Sequence, residues 1–408
     1  QKECLNMKQG MIQGHRRLGD GPTETPDGFP LPITGRPLTL TPVVVKKEGV
    51  KLKQYPETFI SGQEALGEDE IRLTCIGSGN PFVRRAQAAT GWLCELGNGD
   101  KFIFDVGGGT VQNLWSLEIH PALLDKLFLT HLHLDHVGDF HPLYDALGWA
   151  RNSPLHVWGP SGYTPEMGTA TFCEMMKKAA LWHTQSKLGI IPSEGMEIIA
   201  HEFDYGQLGP DKPNMLVYEE NGVKIYAFPT VHCIYGTVGY RLEWNDLSFS
   251  FHGDGSPSAV EAEQAKGVDV FMHEVFIDAV TFSRKANIPL PIAENVVGEH
   301  TTGDRFGELM ELVKPSLGVG YHYSLDDDTV DAMYELLWKT SDIPMVLAQD
   351  FTVINITPEQ IVTRQAETNL LHWTPPMPPD VPHGTLSERS GAKIPQWLVD
   401  SVIRAPGE

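Results

Sequence analysis

The chain of 408 residues contains 41% hydrophobic and 21% charged side chains, which is ordinary for a globular protein. Its 53 acidic and 31 basic residues give a formal net charge of -22, which disfavours binding to bulk nucleic acid unless a local basic patch exists. No apolar run approaches the ~18 residues of a membrane-spanning helix. Five cysteines without CxxC spacing exclude a disulfide framework and a cysteine zinc site.

Both ends of the chain differ in composition from its middle. Residues 1–70 are rich in proline, glycine and charge, which predicts an extended arm on the body or on a neighbouring subunit, with a partly disordered tail as the alternative. An arm of that length can cross a two-fold interface, so a homodimer or higher oligomer is expected. The start at Gln1 suggests a processed periplasmic or secreted protein, with a cytoplasmic location as the alternative. The Pro-rich tail, 369–408, is expected to lie on the surface.

The first half of the central region, which begins at residue 71, is dominated by strands. A short strand in "EIRLTCIG" precedes "GWLCELGNGDKFIFDV", which predicts a hairpin with its turn at Gly97-Asn98-Gly99. "LLDKLFLT" and "LHVWGP" predict strands on either side of the helix "DFHPLYDALGWARN". Residues 160–216 then form a helical segment that we interpret as a lid-like insertion.

Strands and helices alternate in the second half. "GVKIYAFPTVH", "VGYRLEW" and "LSFSFHGD" predict three successive strands, followed by the helix "SAVEAEQAKG" and the strand "VDVFMHEVF". The helix "HTTGDRFGELMELVKP", the strand "SLGVGYHY", the helix "DDTVDAMYELLWKT" and the strands of "IPMVLAQDFTVINIT" follow. Hairpins that give way to alternating elements predict one layered α/β domain over residues 71–368.

The densest group of potential ligands is the motif "THLHLDH". His131 and His133 are two apart at the end of a strand, so their side chains point the same way. Asp135 and His136 follow where the chain turns into a helix. Imidazole and carboxylate are the ligands that zinc prefers in hydrolytic sites, so this loop could serve two metal ions. Ordinary polar loop residues are the alternative, which the density of the motif disfavours.

This motif resembles the signature of the metallo-β-lactamase fold, a four-layer αβ/βα sandwich. "FIFDVGGG" is similar to the first motif of that fold, and later motifs resemble its ribonuclease Z-like branch, including exported and guanitoxin-biosynthesis-type relatives. "PTVHCIYGTVGYRLEW" resembles the third motif, and "FHGDGSPS" the Gly-Asp-Thr motif, with Gly255 in place of threonine. "DVFMHEVF" and "EHTTGDRFGEL" resemble the His-Glu-Ala-Thr and His-Ser-Thr motifs. These motifs follow the family's order from residue 70 to about 365.

The resemblance implies a dinuclear zinc centre, in which iron or manganese could replace zinc. Its expected ligands are His131, His133 and His232 for one ion, Asp135, His136 and His322 for the other, and Asp254 as a bridge. Two cations lower the pKa of a shared water, which would act as a bridging hydroxide nucleophile.

The resemblance also implies roles for residues around the metals. His300 would donate a hydrogen bond or a proton to the reacting group, and Glu274 would orient it. Asp105 and His273 would hold ligand histidines from behind. His252 is expected to pack in the core. Cys233 should point away from the metals, because it neighbours a ligand on a strand.

The segment 160–216 contains methionine and aromatic side chains that either pack in the core or form a lid over an apolar pocket; Phe172, Met176 and Trp182 are the candidates. We therefore expect a hydrolase of a small organic substrate with a carbon electrophile, such as an ester, lactone, amide or isothiocyanate. No nucleic-acid or membrane partner is expected. The alternatives are a phosphodiesterase or ribonuclease Z-like nuclease, which a basic patch of Lys177, Lys178, Arg84 and Arg85 would favour, and a non-catalytic metal-binding protein.

Overall fold

The computed structural model describes residues 42–120, 123–148, 151–372 and 384–403. Its strands form two sheets. The first sheet contains β1 (Val43–Val45), β2 (Thr58–Phe59), β3 (Ile71–Gly77), β4 (Gly91–Leu96), β5 (Lys101–Val106), β6 (Lys126–Phe128), β7 (Leu155–Pro160), β8 (Ile198–Phe203), β16 (Thr352–Ile356) and β17 (Gln360–Ala366). The second contains β9 (Met215–Glu220), β10 (Val223–Pro229), β11 (Val238–Trp244), β12 (Leu247–His252), β13 (Val270–Glu274), β14 (Leu317–Tyr321) and β15 (Met345–Leu347).

Each sheet has an antiparallel part and a parallel part. The first sheet runs in the order β1-β17-β16-β3-β4-β5-β6-β7-β8, with β2 beside β17, and its strands from β5 to β8 are parallel. The second runs β15-β14-β13-β12-β11-β10-β9, and β12 to β15 are parallel. The carboxyl ends of parallel strands meet at one edge, which is where open α/β sheets carry their sites.

Helices flank the sheets. They are α1 (Thr110–Ser116), α2 (Leu134–Val137), α3 (Phe140–Gly148), α4 (Thr169–Ala179), α5 (Leu181–Lys187), α6 (Ala259–Gln264), α7 (Ala279–Ala286), α8 (Leu290–Gly298), α9 (Gly303–Val313), α10 (Asp327–Thr340) and α11 (Gln396–Val399). Helix α6 begins with a capping box, in which Ser258 and Glu261 exchange side-chain and backbone hydrogen bonds. Among the described ranges, no helix is long and apolar enough to cross a membrane.

The main core lies between the two sheets. On β5, Phe102 and Phe104 face the second sheet, whereas Ile103 belongs to a separate apolar cluster with residues of α1 and α3. The ring of Phe104 lies 5.6 Å from the rings of Phe249 and Phe251 on β12. Both faces of β5 are therefore buried, and its residues Phe102, Ile103 and Phe104 are apolar in succession rather than alternating with polar ones. This arrangement is the predicted αβ/βα sandwich.

Several elements were not predicted from the sequence. β1 and β2 pair with β17, so the described part of the predicted arm, residues 42–70, lies on the first sheet. Within the predicted lid-like insertion, β8 extends the first sheet beside β7. β9, β17 and helices α7 and α8 were also missed. Residues 1–41 of the arm, and residues 373–383 and 404–408 of the tail, lie outside the described residues.

Candidate metal centre

The seven predicted ligands converge at the carboxyl ends of strands from both sheets. His131, His133, Asp135 and His136 follow β6, and Asp135 and His136 lie on the short helix α2. The remaining three, His232, Asp254 and His322, come from the second sheet, after β10, β12 and β14 respectively. The loop after β6 lies close to the end of β12. A Cβ added to Gly253, the residue that follows β12, would lie only 2.7 Å from Thr130, so only glycine fits there without a shift. The two sheets therefore contribute to one site.

One group of donor atoms is formed by three histidines and Asp254. His131 Nε2 lies 3.0 Å from His133 Nδ1, and His232 Nε2 lies 3.3 Å from the same nitrogen. One ligand atom from each of these residues and from Asp254 lies within 4.8 Å of the others. Imidazole nitrogens that converge in this way suit a cation with nitrogen ligands.

A second group shares Asp254 with the first. His136 Nε2 lies 3.2 Å from Asp254 Oδ1, and His322 Nε2 lies 3.1 Å from Asp254 Oδ2. Asp135 Oδ2 lies 3.1 Å from His322 Nε2. The two oxygens of Asp254 thus face two different histidines of this group, and the same carboxylate belongs to the first group as well.

Contacts on the far side of the rings orient the histidines. His136 Nδ1 lies 2.7 Å from Asp105 Oδ2, and Asp105 Oδ1 accepts the backbone N–H of Thr130. Thr130 Oγ1 also lies 3.0 Å from His131 Nδ1. His232 Nδ1 lies 3.0 Å from the carbonyl oxygen of Glu299. A carboxylate or carbonyl acceptor at Nδ1 fixes the tautomer that presents Nε2 to a metal ion. His136 and His232 both have such an acceptor.

Two residues of the site adopt backbone angles that are rare for a residue with a side chain. His322 has φ 64° and Asp105 has φ 55°. Such conformations cost about 1–3 kcal/mol each and persist where surrounding contacts hold them. Ser78 accepts the backbone N–H of His322, and Thr130 donates two hydrogen bonds to Asp105.

A carboxylate–histidine pair lies beside the second group. Glu274 Oε1 lies 2.8 Å from His300 Nδ1 and also accepts the backbone N–H groups of Gly255 and Thr301. The ring of His300 stacks on Phe276 at 4.6 Å and lies 5.2 Å from the ring of His232. The donor atoms of Glu274 and His300 also lie within 4.8 Å of those of Asp254 and His322, so this pair borders the place where a substrate would meet the metals.

The buried charges shift the pKa values of these groups. Burial lowers the pKa of His136, but Asp254, Asp105 and Asp135 outweigh this effect and hold it well above its ordinary value. The pKa of His300 is raised for the same reason, since Glu274 outweighs burial. Burial, together with His136, holds the pKa of His131 well below its ordinary value. The carboxylates thus create a negative potential in the centre, while the lowered pKa of His131 favours its neutral, metal-binding form. Both features suit a divalent cation.

The chemistry of the donor set fits metal ions. His136 Nε2 and Asp254 Oδ1 are buried and have no hydrogen-bond partner among the described residues, although each faces other donors of the cluster. Buried polar atoms in that state are normally satisfied by an ion or a water molecule. Five imidazoles and two carboxylates form a nitrogen- and oxygen-rich set that suits zinc, and that iron or manganese could also occupy.

Some predicted residues lie elsewhere or behave differently. His273 was expected to hold a ligand histidine, but it contacts Glu261 and the carbonyl oxygen of Glu274. Cys233 was expected to point away from the metals on a strand. Its sulfur instead lies 3.5 Å from His232 Nε2, because the chain has left the strand at Pro229 and turns here.

The three predicted pocket residues do not join the metal cluster. Phe172 packs on Phe140 in the core behind the first sheet, at 5.0 Å between ring centroids. Met176 contacts the same core cluster. Trp182 is 81% exposed. Nearby, α4, α5 and the start of β8 line a separate cavity of about 500 Å³.

Reasoning from the sequence missed three residues that support the site. Thr130 lies within the "THLHLDH" motif, and its position before His131 could have indicated its role. The carbonyl group of Glu299 gave no such signal, because any residue type supplies a carbonyl. Phe276, which stacks on His300, also gave none, since one more apolar residue after a strand looks like core.

Asp105→Asn tests the support behind the ligands. The amide replaces an acceptor oxygen by a donor, so His136 Nδ1–H loses its charged partner. We expect the zinc affinity to fall by about 10–100-fold, measured by competition with a chromophoric chelator. The control is Asp269→Asn at the amino end of β13, where Asp269 binds Lys46 and the Ser248 N–H. Equal affinities of the two variants would contradict the role of Asp105.

Comparisons with known proteins agree with this geometry. The family described as "Anti-Pycsar protein Apyc1" matches residues 71–285. Ribonuclease Z of Mycobacterium marinum is 30% identical over 220 residues, which cover 50% of this chain and 70% of that protein. Ribonuclease Z of Mycobacterium avium is 28% identical over 240 residues, which cover 57% of this chain and 78% of that protein.

Two solved structures share the fold. The metallo-β-lactamase fold protein YhfI from Bacillus subtilis gives a TM-score of 0.50 at 16% identity, over 71% of this chain and all of that one. The short form of human tRNase Z gives 0.51 at 18% identity, over 69% of this chain and 98% of that one. The family match spans more than half of the sequence, so the chain belongs to the Apyc1 family of anti-Pycsar proteins, among the ribonuclease Z-like metallo-hydrolases of the metallo-β-lactamase fold.

Proposed function

We propose that this metallo-hydrolase is a dinuclear zinc enzyme that cleaves a phosphodiester bond in a small molecule. The observation that carries the proposal is the pair of donor groups that share Asp254 and border the Glu274–His300 pair. Ions in the two groups would supply a hydroxide nucleophile at neutral pH and a positive field for the negative charge that develops during hydrolysis. Three of the histidines would hold one ion, and Asp135, His136 and His322 the other.

His300 is placed to handle the leaving group. Glu274 holds its Nδ1, which leaves Nε2 as the nitrogen that can reach a substrate. The raised pKa of His300, due to Glu274 acting against burial, favours the protonated ring before reaction. That ring can donate a proton to a departing alkoxide, and the stacked ring of Phe276 limits its rotation.

Sequence relatives favour phosphorus over carbon as the reacting atom. Proteins named ribonuclease Z act on RNA, whose linkages are phosphodiesters, and one of them is 30% identical to this chain. The solved structures are too distant in sequence to support more than the fold. The carbon electrophile expected from the sequence is therefore the second candidate. It is favoured by exposed apolar residues next to the ligands, including Leu134, which is 82% exposed, and Ile234, which is 49% exposed.

The charge distribution favours a small substrate over RNA. The net charge is -22, and three of the four basic residues that would have formed an RNA-binding patch are paired with carboxylates. Arg84 binds Asp326, Lys177 binds Glu197, and Lys178 binds Glu174. A phosphate backbone would have to break such pairs and approach a negative surface.

A substrate panel tests the proposal on zinc-loaded full-length protein with its metal content determined. The panel contains bis-p-nitrophenyl phosphate, a dinucleotide, a 3′-extended hairpin RNA, p-nitrophenyl acetate, a homoserine lactone, nitrocefin and an aryl isothiocyanate. We expect turnover of the two small diesters and little of the RNA. His133→Ala should lose both metal and turnover, because it removes the nitrogen that His131 and His232 both face.

Other results of the panel would replace the proposal. Turnover of a carbon substrate while both diesters stay intact would establish the second candidate. Faster cleavage of the hairpin RNA than of the dinucleotide would make the chain a nuclease. If the protein with its full zinc content hydrolyses none of these substrates, both the phosphodiesterase and the carbon-electrophile candidates are contradicted for the bond types in the panel.

His300→Gln tests proton donation. Loss of a general acid typically costs about 10²–10⁴-fold in rate when the leaving group is a poor one. We therefore expect kcat for the dinucleotide to fall within that range, while bis-p-nitrophenyl phosphate loses far less, because p-nitrophenolate leaves without a proton. Zinc content should be unchanged.

The control for this variant is His141→Gln, whose ring lies near the carbonyl oxygen of Met176 outside the centre. It should leave both rates unchanged. If His300→Gln slowed both diesters equally, or lost zinc, the residue would be structural or a ligand rather than a proton donor.

We also propose that the chain forms a homodimer through its amino-terminal arm. The first described strand of the arm, Val43–Val45, pairs with β17 and forms an edge of the first sheet, and an edge strand is a surface on which a second copy can pair. Light scattering should give a dimer for the full chain and a monomer after removal of residues 1–41. An unchanged mass after truncation would refute this role of the arm.

A further inference from the structure

A second cluster of metal-binding side chains lies in the core, apart from the candidate centre. It consists of His252 at the end of β12, Glu261 on α6 and His273 on β13. All three residues are 0% exposed. One ligand atom from each lies within 4.8 Å of the other two. None of these residues is among the seven ligands of the candidate centre.

The distances within this cluster are too long for hydrogen bonds and suit a shared ion. Glu261 Oε2 lies 3.6 Å from His252 Nδ1 and 3.6 Å from His273 Nε2. Neither contact is a hydrogen bond at that separation. Donor atoms about 2.0–2.1 Å from a tetrahedral zinc ion lie about 3.3–3.5 Å apart, so a small contraction would complete such a site.

The orientation of each side chain also points to a ligand. Glu261 Oε1 accepts the backbone N–H of Ser258 in the capping box, which directs Oε2 towards the two histidines. His273 Nδ1 lies 2.7 Å from the carbonyl oxygen of Glu274, so its N–H is used there, and in the neutral ring Nε2 presents a lone pair to the cluster. This is the usual arrangement behind a metal-bound histidine.

Several of these buried atoms lack a hydrogen-bond partner. Both ring nitrogens of His252, Nε2 of His273 and Oε2 of Glu261 have no hydrogen-bond partner within the part of the chain that the structure describes. Aromatic rings surround the histidines, with Phe228 and Phe271 within 4.9 Å of His252, so the surroundings are apolar. A buried carboxylate beside two neutral imidazoles is costly in such surroundings, and a shared cation would offset that cost.

We propose that His252, Glu261 and His273 bind a further divalent cation, most simply zinc, with a water molecule in the fourth position. The ion would join three elements, β12, α6 and β13. β12 leads directly to Asp254, and β13 ends at Glu274. The proposed ion is therefore structural, and it would fix the two strands that carry the bridging carboxylate and the partner of His300. This inference does not depend on which substrate the enzyme hydrolyses.

Anomalous diffraction from crystals of the full chain grown with zinc tests the site directly. Data collected above and below the zinc absorption edge should show an anomalous peak between Glu261 Oε2 and the two histidines, separate from peaks at Asp254. If the peaks lie only around Asp254, and ordinary water density or none fills the triad, the proposal is wrong. Peaks at the triad alone would support it while contradicting the dinuclear centre.

Metal content in solution provides a second test. After zinc loading and desalting, His273→Gln should contain about one ion fewer per chain than the unmodified protein. The matched control is His156→Gln on β7, because His156 also contacts another histidine, at 2.8 Å, but belongs to none of the groups of potential metal ligands among the described residues. That control should keep the full metal content.

The two variants separate the structural ion from the catalytic ones. A folded His273→Gln protein with an unchanged zinc content would overturn the proposal. If this variant does not fold, the anomalous data on the unmodified protein decide the question. Chelation should also lower the midpoint of thermal unfolding more for the unmodified protein than for folded His273→Gln, because only the former has the structural ion to lose.

Discussion

The candidate centre depends on one buried carboxylate. Asp254 is 2% exposed, and its two oxygens face histidines from opposite sheets: His136, which follows β6 of the first sheet, and His322, which follows β14 of the second. A carboxylate in this position is costly unless positive charge surrounds it. Metal ions would supply that charge and simultaneously join the two sheets. The geometry of the catalytic loops and the packing of the sandwich are therefore linked through the same group.

The local part of the centre could be predicted from the sequence, because it is encoded by neighbouring residues. The motif "THLHLDH" after a strand places four donors within six residues, and strand geometry predicts that His131 and His133 point the same way. His232, Asp254 and His322 are far away in sequence, and only the resemblance to a known branch connected them to the loop. Residues that act through the backbone, such as Glu299, could not be predicted, since their side chains are not the functional groups.

The elements of the fold that could be predicted are likewise those whose own residues carry a clear pattern. Hairpins and alternating helices with strong patterns were predicted, whereas β8 and β9 were missed. β8 is buried only at its first and last residues, and β9 has only one buried residue. Both are edge strands, one at the end of each sheet. An edge strand needs less apolar surface than a central one, so its pattern is weak and its identity depends on the neighbouring strand.

Gly255 stands where the resembled Gly-Asp-Thr motif has threonine, and its surroundings are closely packed. A Cβ at Gly255 would lie 3.0 Å from the carbonyl oxygen of Val231, next to the ligand His232. The close approach is part of a bridge between Val231 and Ser256. The hydroxyl of Thr301 donates to the carbonyl of Gly255, while the Gly255 N–H donates to Glu274. The backbone at this position thus connects Asp254, the Glu274–His300 pair and the loop of His232, so a larger residue here would require all three to adjust to the displaced carbonyl of Val231.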